Sequence, residues 1–162
     1  MFSLRSTLLA LMATTGSVYA EHLRVVFSSG SFNAIQGGSG NYNGFAIIND
    51  DDVAIYDNGY PNDHAPCYHQ TDGRTFTIEG DCWGSARTFN CYAGFDGSPE
   101  SCSVKDADGN ELGSGEGQSD TTFIGISIGT DASCVVEFDS DDVEGNVCPE
   151  DDGDGPLHVT SG

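Results

Sequence analysis

Glycine punctuates this chain so regularly that a helix has nowhere to run. There are 22 glycines in 162 residues. After residue 20 they interrupt every window in which a 3.6-residue apolar period could develop. What remains are short runs rich in β-branched and aromatic residues, separated by turn-forming clusters. Leu23 to Ser28, Phe45 to Ile48 and Val53 to Tyr56 are such runs. Arg74 to Glu79 alternates cleanly, with Thr75, Thr77 and Glu79 on one face and Phe76 and Ile78 on the other. Ala86 to Tyr92 and Ser101 to Lys105 follow, the latter leading into the hairpin turn signal Asp106-Ala107-Asp108-Gly109-Asn110. Thr122 to Ile128 and Cys134 to Phe138 read as a strand pair joined by Gly129-Thr130-Asp131. Ser28 to Gly44 and Gly113 to Gly117 read as loops, because they contain little but Gly, Ser, Asn and Glu. Strands at this spacing predict an all-β domain, a small disulfide-bonded sandwich or barrel.

The cysteines say where that domain matures. All six, Cys67, Cys82, Cys91, Cys102, Cys134 and Cys148, follow residue 60. No Cys-x-x-Cys or Cys/His pairing with zinc spacing occurs, so three disulfides are expected, not a metal site. Six cysteines allow fifteen connectivities. Local pairs such as Cys91–Cys102 and Cys134–Cys148 are compatible with the short separations. The N-terminus agrees. Arg5 precedes an apolar run centred on Leu8, Leu9, Leu11 and Met12, and Ser17-Val18-Tyr19-Ala20 closes with small residues at the first and third positions before a cut. This order is that of a secretory signal peptide cleaved after Ala20. The run is too short to span a bilayer core. The expected organisation is a signal peptide at 1–20, one β-rich domain at 21–148 and an acidic flexible tail at 149–162.

Charge limits the partners. The chain has 26 acids against 5 bases, a formal charge of −21, and it becomes one unit more negative once Arg5 is lost. Arg24, Arg74, Arg87 and Lys105 are the bases that stay. Phosphate backbones repel such a surface, so nucleic acid and anionic membranes are not expected as partners. No Asn-x-Ser/Thr sequon occurs.

Motifs for catalysis are scarce. Asp106 to Glu111 begins like a calcium loop, but position six would be Glu111 and position twelve Gly117, where Gly and Glu are required. A hairpin turn is the expected reading. His64, His69, Glu79 and Arg87 are near enough in sequence to suggest a secreted hydrolase or ribonuclease, which uses such groups as acid and base; the acidic charge opposes an RNA substrate. No nucleophile elbow, zinc-protease motif or phosphate-binding loop is present. The expectation is therefore no enzyme, no cofactor and no metal. The segment Asn58 to Tyr68 instead combines aromatic residues and prolines in a loop, and loops on rigid scaffolds carry recognition. Tyr60, His64 and Tyr68 are the candidate partner contacts. Trp83, directly after Cys82, is expected to pack over a disulfide in the core.

Taken together, the leader ending Ser17-Val18-Tyr19-Ala20, the short acidic body, the six cysteines and the Tyr60-to-Trp83 neighbourhood resemble the small secreted effectors of plant-pathogenic fungi. The chain looks most similar to the necrosis-inducing secreted proteins of anthracnose fungi, over its whole length. The resemblance implies a virulence protein released at the plant interface, with the host cell after delivery as a second compartment. It implies binding to receptor-associated immune kinases of the host plant, suppression of pattern-triggered immunity and induction of cell death. It supplies no residue-level motif, so no functional residue is carried over. A monomer is expected. A cell-wall glycan-binding protein is the other non-enzymatic alternative.

Overall fold

The computed structural model of the protein describes residues 20–34, 39–124, 127–140 and 147–162. In them, alternation along the chain becomes one antiparallel sheet. The strands are β1 (His22–Ala34), β2 (Ser39–Ile48), β3 (Ala54–Asp57), β4 (Arg74–Glu79), β5 (Arg87–Ala93), β6 (Pro99–Lys105), β7 (Glu111–Ile124), β8 (Ser127–Asp139) and β9 (His158–Ser161). A 3-10 turn at Pro61–Asp63 lies between β3 and β4. Strand order is β3-β2-β1-β8-β7-β6-β5-β4-β9. The expected all-β, disulfide-bonded class is what the chain adopts. Residues 1–19 of the expected signal peptide (1–20), Gly37 and Gly38, and the acid run at 141–146 lie outside the described residues.

Period-two alternation fixes which face is inside. Leu23, Val25 and Phe27 of β1 are fully buried, as are Ile47 of β2, Ile78 of β4 and Phe89 of β5. Thr75 and Glu79 point outward, as the alternation of β4 requires. The sheet does not stay open. Phe45 on β2 and Phe76 on β4 stand near opposite ends of the strand order, yet their ring centroids are 4.9 Å apart. Phe45 also meets Phe89 at 5.4 Å and Phe27 at 5.0 Å. The sheet therefore curls into a half-barrel around four phenylalanines in edge-to-face and stacked contact, the geometry that aromatic quadrupoles favour.

The curl turns on β7. Residues up to Glu116 pair with β6, and residues from Gly117 onward pair with β8. Gly113, Gly115 and Gly117 sit in the middle of a strand, not in the loop their composition suggests. A side chain at these positions would collide with the carbonyl oxygens of Glu137, Val135 and Pro99 respectively. The glycines let β8 and the start of β6 approach backbone to backbone where the sheet bends.

Two more expected loops are strands. Ser28 to Gly44 is spanned by β1 and β2, paired from Ser28↔Gly44 to Asn33↔Ser39. Gly129 to Asp131 lies inside β8, opposite Thr122 to Asp120 of β7, and is not the expected joining turn. Ladder hydrogen bonds need only backbone, so polar, glycine-rich sequence can pair wherever an adjacent strand supplies partners. The Asp106 turn, by contrast, is a hairpin turn as read. Gly109 N–H donates to the Asp106 carbonyl, and Asp106 Oδ1 accepts from the N–H groups of Asp108 and Asn110. Donation from the Asn110 side chain, together with those N–H groups, holds the Asp106 carboxyl below its ordinary pKa.

The disulfides are Cys67–Cys91, Cys82–Cys148 and Cys102–Cys134. The local pairs Cys91–Cys102 and Cys134–Cys148 are not formed. Cys91 and Cys102 do lie opposite one another on β5 and β6, and both are buried. Each is bonded instead to a cysteine from beyond that strand pair: Cys91 to the loop before β4, Cys102 to β8 across the bend. Sequence distance is thus a poor guide here, because the core brings distant segments closer than many neighbours.

The C-terminal segment, read from composition as a tail, carries specific contacts. Cys148 is buried and bridged, Leu157 is buried, and Val159 pairs with Ile78 in the β4–β9 ladder. Asp151 N–H donates to Ala54 O, and Asp151 Oδ2 accepts from Asp57 N–H. The carboxylates of Asp152 and Asp154 face solvent, so the acids impose little burial cost while one leucine and one half-cystine anchor the segment.

Candidate functional site

The three residues expected to face a partner sit on one loop, and a single buried cation organises it. Arg74 is the first residue of β4 and shares the inward parity of Phe76 and Ile78, so its guanidinium is drawn below the surface. A buried charge must be paired or hydrogen-bonded. Arg74 Nη2 donates to Pro61 O and Nη1 to Ala65 O, each at 2.7 Å. Its guanidinium carbon lies 5.4 Å from the centroid of Phe76 and 5.9 Å from that of Tyr68. Burial pushes the guanidinium below its ordinary pKa, with Tyr68 acting in the opposite direction.

Around this centre the loop takes its shape from local chemistry. Asn58 Oδ1 accepts from Tyr60 N–H, and Pro61 opens the 3-10 turn. Asn62 and Asp63 adopt positive φ, which these two residue types tolerate better than most. Tyr60 is 48% exposed, with its hydroxyl accepting from Asn43 Nδ2 of β2. His64 is exposed, and its Nδ1–H donates to Asn62 O. Tyr68 is 42% exposed. The Cys67–Cys91 bridge ties this end of the loop to β5, and the backbone completes the tie: Tyr68 N–H donates to Cys91 O and Ala93 N–H to Tyr68 O.

The same tie brings His69, a sequence candidate only for acid–base chemistry, against Phe95, which sequence reasoning did not single out. His69 lies with its ring centroid 5.3 Å from that of Phe95. Phe95 tips the β5–β6 hairpin and is 99% exposed. Its turn runs from Gly94 to Gly97, closed by Gly97 N–H on Gly94 O, with Gly97 at φ +83°. A signal for Arg74 exists in the sequence: a cation in phase with Phe76 and Ile78. Phe95 carries no periodic signal, because a turn tip belongs to no face.

The groups suggested for acid–base chemistry are not gathered. His64 and His69 are in the loop before β4, near its Arg74 end, whereas Glu79 ends β4 and meets His158 of β9 at 3.7 Å. Five residues of extended strand separate these ends, about 17 Å. Arg87 is buried on the inner side, 5.9 Å over the ring of Trp83. Trp83 is buried in the core, as expected, and packs against Phe89 and Arg87. A shallow groove of about 540 Å³ runs between Asp57, Asn62, Asp151, Asp154 and His158. Among the described residues no cluster of His, Cys, Asp and Glu has the arrangement of a metal site, and no helix is long and apolar enough to cross a membrane.

These features define a class: a disulfide-bonded all-β protein with exposed aromatic side chains on a loop and a hairpin tip that are fixed from beneath. No family model, curated protein or solved structure matches the chain.

Proposed function

We propose that the protein is a secreted effector that works by binding, engaging a plant immune component through the aromatic loop held by Arg74. The observation that supports this is the exposure of Tyr60 and Tyr68 on a loop anchored by a buried guanidinium and a disulfide. Exposed aromatic side chains on a preorganised loop lose little conformational freedom on binding, and tyrosine is enriched at binding hot spots. Three disulfides suit an oxidising, extracellular compartment. In this reading the partner is the cytosolic domain of a receptor-associated kinase, and its occupation suppresses pattern-triggered immunity and leads to host cell death. The test is titration of the purified, disulfide-bonded protein against such a kinase domain by calorimetry. Binding at tens of micromolar or tighter, weakened by Tyr60→Ala and Tyr68→Ala, is the expected result. No detectable heat or complex at that concentration overturns the kinase reading.

A further inference from the structure

A phenylalanine that is 99% exposed has found no cover within its own fold. Phe95 stands at the second position of a turn that asks for no aromatic residue; the turn is closed by backbone and by Asp96 Oδ1, which accepts from Ser98 N–H. Its position is nonetheless firmly set. Ser29 Oγ of β1 donates to Gly97 O, and the Cys67–Cys91 bridge with the Tyr68 backbone bonds places His69 against the Phe95 ring. The second observation is electrostatic. Gly94 has Glu100 Oε1 at 2.7 Å and Asp96 Oδ1 at 3.1 Å from the point where a Cβ would stand. Two carboxylates therefore converge on Gly94, the residue that precedes Phe95 in the turn. No lysine or arginine among the described residues pairs with either: Arg24 is engaged by Asp52, Arg74 and Arg87 are buried, and Lys105 ends β6 at the strand's far end from the hairpin.

We infer that the Phe95 hairpin tip, with His69 and Tyr68 beside it and Asp96 and Glu100 at its rim, is the docking surface for a basic segment of a protein partner. An arginine or lysine side chain lies over Phe95, its stem against the ring and its charge on the two carboxylates. An aromatic face and carboxylates at its edge are what such a side chain needs: apolar cover for the methylenes, cation–π attraction and an opposite charge. The chain's overall charge of −21 draws a basic segment towards it before contact. The inference deepens the binding reading above and rests on it for the nature of the partner, a protein.

The probe is a fluorescein-labelled peptide of alternating Arg and Gly, with a Gln-Gly peptide as control. Binding is read by anisotropy and by amide shifts in nitrogen-15 spectra of the intact, disulfide-bonded protein. Saturable shifts concentrated at 68–69 and 94–101 are expected, absent with the Gln peptide. Phe95→Ala leaves the charge untouched and should weaken binding about tenfold, as Glu100→Gln should, with thermal midpoints unchanged. Binding that is indifferent to Phe95→Ala, or shifts centred on 150–154, overturns the site in favour of diffuse attraction to acids. Equal shifts at the hairpin with neutral chitohexaose also overturn it, since charge would then play no part. The kinase titration separates the two proposals. If the kinase domain binds but ignores Phe95→Ala and Glu100→Gln, the site fails and the effector reading stands. If the peptide maps to the hairpin and the kinase does not bind, the reverse holds.

Discussion

At the level of single residues, two positions explain more than their composition suggests. Gly30 of β1 lies between Tyr42 of β2 and Asp131 of β8 in one cross-strand row. The Tyr42 ring lies over Gly30, and its hydroxyl donates to the Asp131 carboxylate. A methyl group on Gly30 would displace the ring and break that bond. Gly30→Ala should cost about 1–2 kcal/mol in the native background, the scale of one charge-assisted hydrogen bond with its packing. In a Tyr42→Ala background the cost should nearly vanish, and a double-mutant cycle by urea denaturation measures the difference. His22 offers a second test. Its Nδ1 is 2.9 Å from Asp139 Oδ1, and that hydrogen bond raises its pKa above the ordinary 6.5, against a lesser opposing effect of desolvation. A raised folded-state pKa stabilises fully below pH 6.5 and ceases to do so as pH rises through the folded value. The pair is exposed, so the effect on stability is small. Proton NMR titration should place His22 above 6.5 in the native protein and lower in Asp139→Asn than in the native protein, with Asp50 and Glu137 still raising it.

Elements show a different economy. β7 is a strand rich in Gly, Ser, Glu and Thr that would have little reason to extend alone. It extends because β6 pairs with its first half and β8 with its second. Gly115 is the tightest requirement in this arrangement that bears on β8, since a Cβ there would penetrate the Val135 carbonyl. Gly115→Ala should destabilise by about 1–3 kcal/mol through backbone displacement. Gly109→Ala in the neighbouring turn would meet no atom but adopts φ +85°, so its cost, about 1 kcal/mol, is purely conformational. Denaturation midpoints of the two variants should rank in that order. The hairpin at Asp106 was legible because Asp and Gly occupy the turn positions that their own hydrogen bonds favour. β4 was legible because one face is buried and the other wet. β7 and the outer halves of β1 and β2 were not, because their side chains do not record which backbone lies beside them. The candidate site divides the same way: the loop holding Tyr60, His64 and Tyr68 stands out by composition, whereas its Arg74 hub and the neighbouring Phe95 depend on what the loop packs against.

For the whole molecule, the disulfides join segments the sheet has already brought near. Cys82–Cys148 closes 66 residues and secures the C-terminal segment, whereas Cys67–Cys91 closes 24 and secures the aromatic loop. In the chain-entropy account, removing the first costs about 4 kcal/mol and the second about 3. Paired Cys→Ser variants should follow that order in thermal stability. Function should follow the opposite order, because only loss of Cys67–Cys91 loosens the tie of Tyr68 and His69 to β5, leaving two backbone hydrogen bonds to hold it. Kinase-domain binding by the two variants, compared at a temperature where both are folded, checks this.

By itself the sequence determined the class of fold: glycine spacing forbids helices, alternation makes strands, and an even set of cysteines in an acidic chain supplies the cross-links. These are local properties, encoded in neighbours along the chain. Tertiary structure alone decided the cysteine pairing, the course of the glycine-rich segments and the burial of Arg74. Each depends on which backbone or side chain arrives from far along the sequence when the sheet curls, and no local pattern carries that information.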